Sequence, residues 1–169
     1  MDDLNVRLLV ELLRDRITPD RSLGQHFLLD EAVIARAVEI ASKNHPIDEH
    51  SHVLEIGPGP GSLTLELLRT GAKVTAIELD QEATSHLARV FNGADGKLQV
   101  IHADALETDW PEEITHIVSN LPYQISSPVL ERIQKYHSSS QLKGISLLVQ
   151  EEFAAVSYTH LRAHETGYN

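Results

Sequence analysis

Glu55-Ile56-Gly57-Pro58-Gly59-Pro60-Gly61, entered from His52-Val53-Leu54 and left through Ser62-Leu63-Thr64-Leu65, is the stretch on which the fold turns. A short apolar run ends in three glycines at alternate positions and passes at once into a helical pattern, so a strand meets a helix across a tight loop. Downstream the alternation repeats. Apolar runs at Lys73–Ile77, Leu98–His102, His116–Ser119 and Gly144–Val149 read as further strands after His52–Ile56. Between them Ser62–Thr70, with Gly71 as its stop, Gln81–Phe91, ended by Asn92-Gly93, and Ser127–His137 read as helices. Upstream, Leu4–Ile17 carries a helical stripe closed by Thr18-Pro19, and Asp30 is placed to cap a helix over Glu31–Ser42. Strands alternating with helices make βαβ units, hence an α/β fold, doubly wound on a parallel sheet with helices on both faces.

At 169 residues the chain is one domain or a domain plus a fragment. Cysteine is absent, which excludes disulfides, thiolate metal sites and thiol catalysis. With 41% apolar and 23% charged residues the composition is that of a globular protein. No apolar run approaches the ~20 residues of a membrane helix, and Met1–Arg16 lacks the basic start of a signal peptide. A cytoplasmic monomer that avoids membranes is expected. The net charge of −11 argues against non-specific nucleic-acid binding, which draws on lysine and arginine, but leaves a local basic face open. Arg14, Arg16 and Arg21 form the basic cluster ahead of Gln25 and read first as a solvated helix end, with a contact to RNA phosphate as the alternative.

The glycine loop lies where an open α/β sheet binds ligands, outside the carboxyl ends of its strands. A nicotinamide fingerprint requires G-x-G-x-x-G, yet Ser62 stands three residues after Gly59 and the third glycine comes one position earlier. With Glu55 two residues before Gly57, the E-x-G-x-G-x-G pattern resembles motif I of S-adenosylmethionine-dependent methyltransferases. Glu78, 21 residues after Gly57, closes the next strand, where a carboxylate accepts from both hydroxyls of a ribose. Asp80 is expected to start the following helix. Asp104 follows the third strand and is placed to accept from an adenine amino group.

The fourth strand ends in Asn120-Leu121-Pro122-Tyr123. This is the [N/D]-x-P-[Y/F] pattern of methyltransferases acting on exocyclic amines of nucleobases. Adenine N6 is a poor nucleophile because its lone pair is delocalised into the ring. Two acceptors facing its N–H bonds, the Asn120 amide oxygen and the Leu121 carbonyl, favour a more pyramidal nitrogen. Pro122 fixes the turn, and Tyr123 offers a face for the base to stack on. A sulfonium methyl is already activated, so positioning counts for more than acid–base help, and no catalytic histidine or lysine is expected.

Leu23-Gly-Gln-His-Phe-Leu28, Glu55–Gly61, Ala76–Asp80, Asp104-Ala-Leu106 and Asn120–Tyr123 occur in the order of the rRNA adenine N6,N6-dimethyltransferase family, and Val149–Phe153 resembles its next block. The resemblance covers about residues 20 to 155; His26 is similar to the archaeal and eukaryotic branches. It implies a Rossmann-like class I methyltransferase fold, S-adenosyl-L-methionine as cofactor, and transfer of four methyl groups to two adjacent adenosines. Those adenosines lie in a hairpin loop near the 3′ end of small-subunit rRNA, so the implied partner is the assembling small ribosomal subunit. By motif, His26 and Leu28 close over the cofactor, Gly57 lines it, Glu78 holds the ribose and Asp104 the adenine. Asn120 serves both cofactor and target, and Tyr123 the target base, which must leave its stack to arrive.

Members of that family continue through further strands into a small helical domain, neither of which is recognisable here. The expected division is therefore a lead-in over 1–25, an incomplete methyltransferase domain over 26–155, and a non-native tail over 156–169. Ile145–Val149 is expected to stand as an apolar edge, and the chain to bind cofactor weakly and methylate rRNA poorly. His160 and His164 have helical ligand spacing without a third ligand, so no metal is expected. His50 and His52 are expected at the surface and Trp110 as a loop anchor. Two other readings stand beside the first: a large-subunit rRNA adenine methylase conferring antibiotic resistance, and a non-catalytic RNA-binding assembly factor of the same fold. A nicotinamide dehydrogenase is disfavoured by the glycine spacing.

Overall fold

The computed structural model describes residues 4–14, 30–92, 94–140 and 142–149. Strands β1 (His52–Ile56), β2 (Lys73–Glu78), β3 (Leu98–His102), β4 (His116–Asn120) and β5 (Gly144–Leu148) form one sheet in the order β3-β2-β1-β4-β5. Every neighbouring pair is parallel. The chain steps outward from β1 to β3 and then returns to β4 beside β1, so the winding reverses between those two strands. Helices are α1 (Val6–Arg14), α2 (Glu31–Ala41), α3 (Ser62–Arg69), α4 (Gln81–Val90) and α5 (Ser126–Ser140). None of the described helices is long and apolar enough to cross a membrane.

The central strands are apolar throughout because both faces are covered. Val53, Val74 and Val118 join Leu9, Ile34, Leu65 and Leu87 in the core under α1–α4. The alternate residues Leu54, Ile56, Ile77 and Ile117 point the other way, against Trp110, Ile114, Val129 and Ile133. That second layer is built by α5 and by the long connection from β3 to β4. Helices therefore flank both sides of the sheet, as the strand–helix alternation requires.

Local chemistry sets the helix ends. Asp30 Oδ1 accepts the Ala32 and Val33 amides at 2.9 and 3.2 Å, and Asp80 Oδ1 accepts the Ala83 amide at 2.9 Å. Both acids are N-caps, as expected. Asn5 caps α1 through Leu8 N–H at 2.9 Å, which delays its start to Val6; the expected end at Ile17 lies outside the described residues. Gly71, at φ +88°, follows the last turn of α3. A 3₁₀ turn over Tyr123–Ile125 leads into α5, which starts at Ser126 and runs past His137 to Ser140. Pro128 is tolerated there because a first-turn residue has no intrahelical acceptor for the N–H it lacks.

Two histidines are more buried than a surface position would make them. His50 is exposed, but His52 is half-buried with Nε2 2.8 Å from Thr75 Oγ1 on β2. Burial first, and then Lys73, hold its pKa below the ordinary value. His116 is buried at the start of β4, Nε2 3.0 Å from the His45 carbonyl and Nδ1 2.8 Å from Thr115 Oγ1, its pKa also lowered chiefly by burial. Trp110 is the anchor expected of it: 8% exposed, with its indole N–H donating to the Ala105 carbonyl at 3.0 Å.

Candidate cofactor and target-base site

Because all strands run parallel, their carboxyl ends open on one edge of the sheet. Read across it, the tips carry Asp104, Glu78, Gly57 and Asn120 in that order. Three strand spacings of ~4.8 Å put the outer two about 14 Å apart, the scale of an extended nucleoside bearing an amino-acid chain.

The glycine loop joins three of these tips. Gly57 (φ +67°) donates its amide to the Ile77 carbonyl at 2.9 Å, and Gly59 (φ +54°) donates to Glu78 Oε2 at 3.0 Å. A Cβ at Gly57 would stand 3.8 Å from Pro122 Cδ, so the glycine loop and the Asn-Leu-Pro-Tyr tip are neighbours across the reversal point. Gly61, at φ +93°, is the N-cap residue before α3, and a Cβ there would lie 2.6 Å from Phe91 Cε2 and 2.8 Å from Leu87 Cδ2. No other residue lets the loop close so tightly on α4.

Glu78 is 7% exposed, and its Oε1 also takes the Asp80 amide at 2.9 Å. Burial raises its pKa, while the hydrogen bonds from the Asp80 and Gly59 amides pull it back down. On β1, Glu55 is 1% exposed and accepts the Thr64 hydroxyl at 2.6 Å. Burial pushes its pKa up to about 8, the Thr64 hydrogen bond opposing and the Glu78 charge adding. Glu55 is therefore mostly protonated at neutral pH, which a sequence pattern using it only as a carboxylate marker does not reveal.

Asp104 is exposed at the end of β3, with Oδ1 accepting the Leu106 amide at 2.8 Å. Its carbonyl accepts the Glu107 and Thr108 amides at 3.1 and 2.9 Å, so the carboxylate rides on a closed turn. On the other side, Ser119 Oγ accepts the Ile56 amide at 2.9 Å, and the Leu121 amide donates to Leu148 at 2.9 Å. These bonds hold Asn120 between β1 and β5. Pro122 takes φ −57° and ψ 140°, turning the chain outward, and Tyr123 stands 50% exposed beyond it. His26 and Leu28 lie outside the described residues, as do His160 and His164. Among the described residues no group of three His, Asp or Glu side chains could hold a metal.

The model of the ribosomal RNA adenine dimethylase family matches residues 18–160. The chain belongs to that family. It is 42% identical over 138 residues to a probable ribosomal RNA small subunit methyltransferase A of Methanopyrus kandleri, covering 82% of this chain and 46% of the relative. A ribosomal RNA small subunit methyltransferase A of Leifsonia xyli is 41% identical over 130 residues, covering 74% and 44%. The chain thus spans less than half the length of either. Among solved structures, the 23S rRNA methyltransferase ErmE superposes with a TM-score of 0.63 at 31% identity, covering 76% of this chain and 50% of that one. The fold is that of class I methyltransferases.

In this dimethylase family the methyl donor is S-adenosyl-L-methionine, and the acceptors along the carboxyl edge of the sheet suit it. Carboxylates at Glu78 and Asp104 are acceptors of the kind that a ribose diol and an exocyclic amine require. Leu79, 56% exposed next to Glu78, adds an apolar side chain at the same edge. Ser62 Oγ, buried on the first turn of α3, has no partner among the described residues and leaves an unused hydroxyl at the glycine loop.

Proposed function

We propose that the chain carries the cofactor and target-base site of an enzyme that dimethylates N6 of two adjacent adenosines. The substrate is a hairpin near the 3′ end of small-subunit rRNA, modified as the subunit assembles. The supporting observation is the approach of the Asn120–Tyr123 tip to the glycine loop, Pro122 Cδ lying 3.8 Å from where a Gly57 side chain would begin. That juxtaposition supports a reading in which acceptors for an exocyclic amine stand next to an activated methyl. When bound, the sulfonium cofactor supplies an electrophilic carbon. Asn120 and the Leu121 carbonyl orient the amine, Tyr123 stacks on the base, and Glu78 and Asp104 hold the nucleoside end of the donor.

In a version extended to its relatives' length, Asn120→Ala should lower transfer of labelled methyl to small-subunit particles by about 10²–10³-fold, the usual loss of one preorganised polar group. Equal rates for parent and variant would sink the assignment. The likeness to the 23S rRNA enzyme favours one competing reading, methylation of large-subunit rRNA. Preferential labelling of naked large-subunit rRNA over small-subunit particles would establish it instead.

A further inference from the structure

Helix α5 leaves the target-base tip at Ser126 and runs back along the sheet. Two of its side chains, four residues apart, reach the β3–β4 connection. Arg132 Nη1 donates to the Ala105 carbonyl at 2.8 Å, Nη2 donates to the Thr108 carbonyl, and the guanidinium carbon lies 4.8 Å from the centroid of the Trp110 ring. The Trp110 indole N–H donates to the same Ala105 carbonyl at 3.0 Å. One turn on, the Tyr136 hydroxyl donates to the Pro111 carbonyl at 2.6 Å and accepts the Ile114 amide at 3.2 Å.

The arginine's choice of partners is informative. Glu107, Asp109, Glu112 and Glu131 line the same groove, yet among the described residues Arg132 makes no ion pair. Its planar fork is spent on two backbone carbonyls three residues apart, a geometry suited to guanidinium. Those carbonyls belong to the turn whose amides close on Asp104: Leu106 N–H on its carboxylate, Glu107 and Thr108 N–H on its carbonyl. Thr108 is held at both ends, by Asp104 through its amide and by Arg132 through its carbonyl.

We propose that Arg132 is a positioning residue for the nucleoside pocket: it clamps the turn that aims Asp104 and thereby sets the preference for an amino group on the purine. The proposal rests on the reading of Asp104 as the adenine acceptor. It also makes α5 the common ruler for both ends of the site, since the helix that follows the Tyr123–Ile125 turn holds the Asp104 turn with its middle.

The test compares calorimetric affinities for S-adenosylhomocysteine and S-inosylhomocysteine, which replaces the 6-amino group by a carbonyl. The parent should prefer the adenine form by about 10–100-fold, the worth of a hydrogen bond to a charged group. Arg132→Met should reduce that ratio toward the one seen in Asp104→Asn. Arg132→Lys should restore part of it, and Arg132→Met should lower the ratio little further when added to Asp104→Asn. A variant that weakens both ligands equally would show a merely structural clamp and overturn the proposal. A full preference surviving in Asp104→Asn would instead overturn the reading of Asp104 and the proposal with it. Should Arg132→Met fail to fold, Arg132→Lys carries the test by amide exchange. Faster exchange at Leu106, Glu107 and Thr108, with β1 and β2 unchanged, is expected; unchanged exchange at that turn would overturn the clamp.

Discussion

Glu55 and Glu78 are buried carboxylates on adjacent strands, and hydrogen bonding separates their behaviour. Glu78 receives two backbone amides, whereas Glu55 receives one hydroxyl and feels the Glu78 charge. In the folded chain Glu55 titrates near 8, against 4.5 unfolded, so the native state holds an extra proton between those values. Its contribution to stability is full below pH 4.5 and is lost as pH rises toward 8. Glu55→Gln keeps an acceptor for Thr64 without the titration. The variant should therefore gain on the parent by several kcal/mol between pH 5 and pH 8, at about 1.4 kcal/mol per pKa unit, read from urea midpoints at the two pH values. A constant difference would show that Glu55 ionises normally. Sequence exposes the identity of such a residue but not the loss of water around it. For the same reason His52, the first residue of a strand, reads as surface although the parallel neighbour on β2 half-buries it.

At the level of elements, Gly61 offers a sharper contrast than any helix propensity. Gly61→Ala must place a side chain at φ +93° and into Phe91 and Leu87. Left-handed backbone costs roughly 1–2 kcal/mol, and overpacking adds roughly 1–3 kcal/mol. Gly57→Ala meets nothing closer than 3.8 Å, so it should lose only the backbone component while impairing cofactor binding. Chemical denaturation of the two variants should rank Gly61→Ala well below Gly57→Ala; the reverse ranking would refute the packing of α4 on the loop. The strand and helix pattern was legible almost to the residue because Asp30, Asp80, Gly71 and the glycine loop punctuate it with caps and stops. What was not legible is how elements distant in sequence meet. The Arg132 and Tyr136 contacts with the β3–β4 connection span 22 to 27 residues, and no local periodicity encodes them.

Across the whole molecule, ionisation is divided between the two edges of the sheet. The amino edge carries His52 and His116, both with lowered pKa values. Lys73 lowers and Glu113 raises the first; Lys143 and His45 lower the second, and a hydrogen bond to the His45 carbonyl and the charge of Asp48 raise it. A histidine depressed below 6.5 in the native state stabilises fully above that value. As pH falls through 6.5 the unfolded chain takes the proton first, and the stability is lost. Between pH 7 and pH 5.5 this loss opposes the gain from Glu55, so it is read as a difference: the melting temperature of a His52→Gln/His116→Gln variant should rise relative to the parent's as pH falls, whatever its absolute stability. Parallel pH profiles in the two would place acid sensitivity elsewhere.

The carboxyl edge has a different character. Residues 56–61, 78–80, 102–106 and 120–125 contain no lysine or arginine, and two of the four tips end in acids. Such a mouth sorts visitors by sign before it sorts them by shape. A nucleoside linked through sulfur enters unopposed. Among the described residues of these tips a nucleoside triphosphate would find no lysine or arginine to neutralise it, and carboxylates at Glu78 and Asp104 would repel it over a Debye length of ~8 Å at physiological salt. An adenosine polyphosphate should therefore compete poorly for such a mouth.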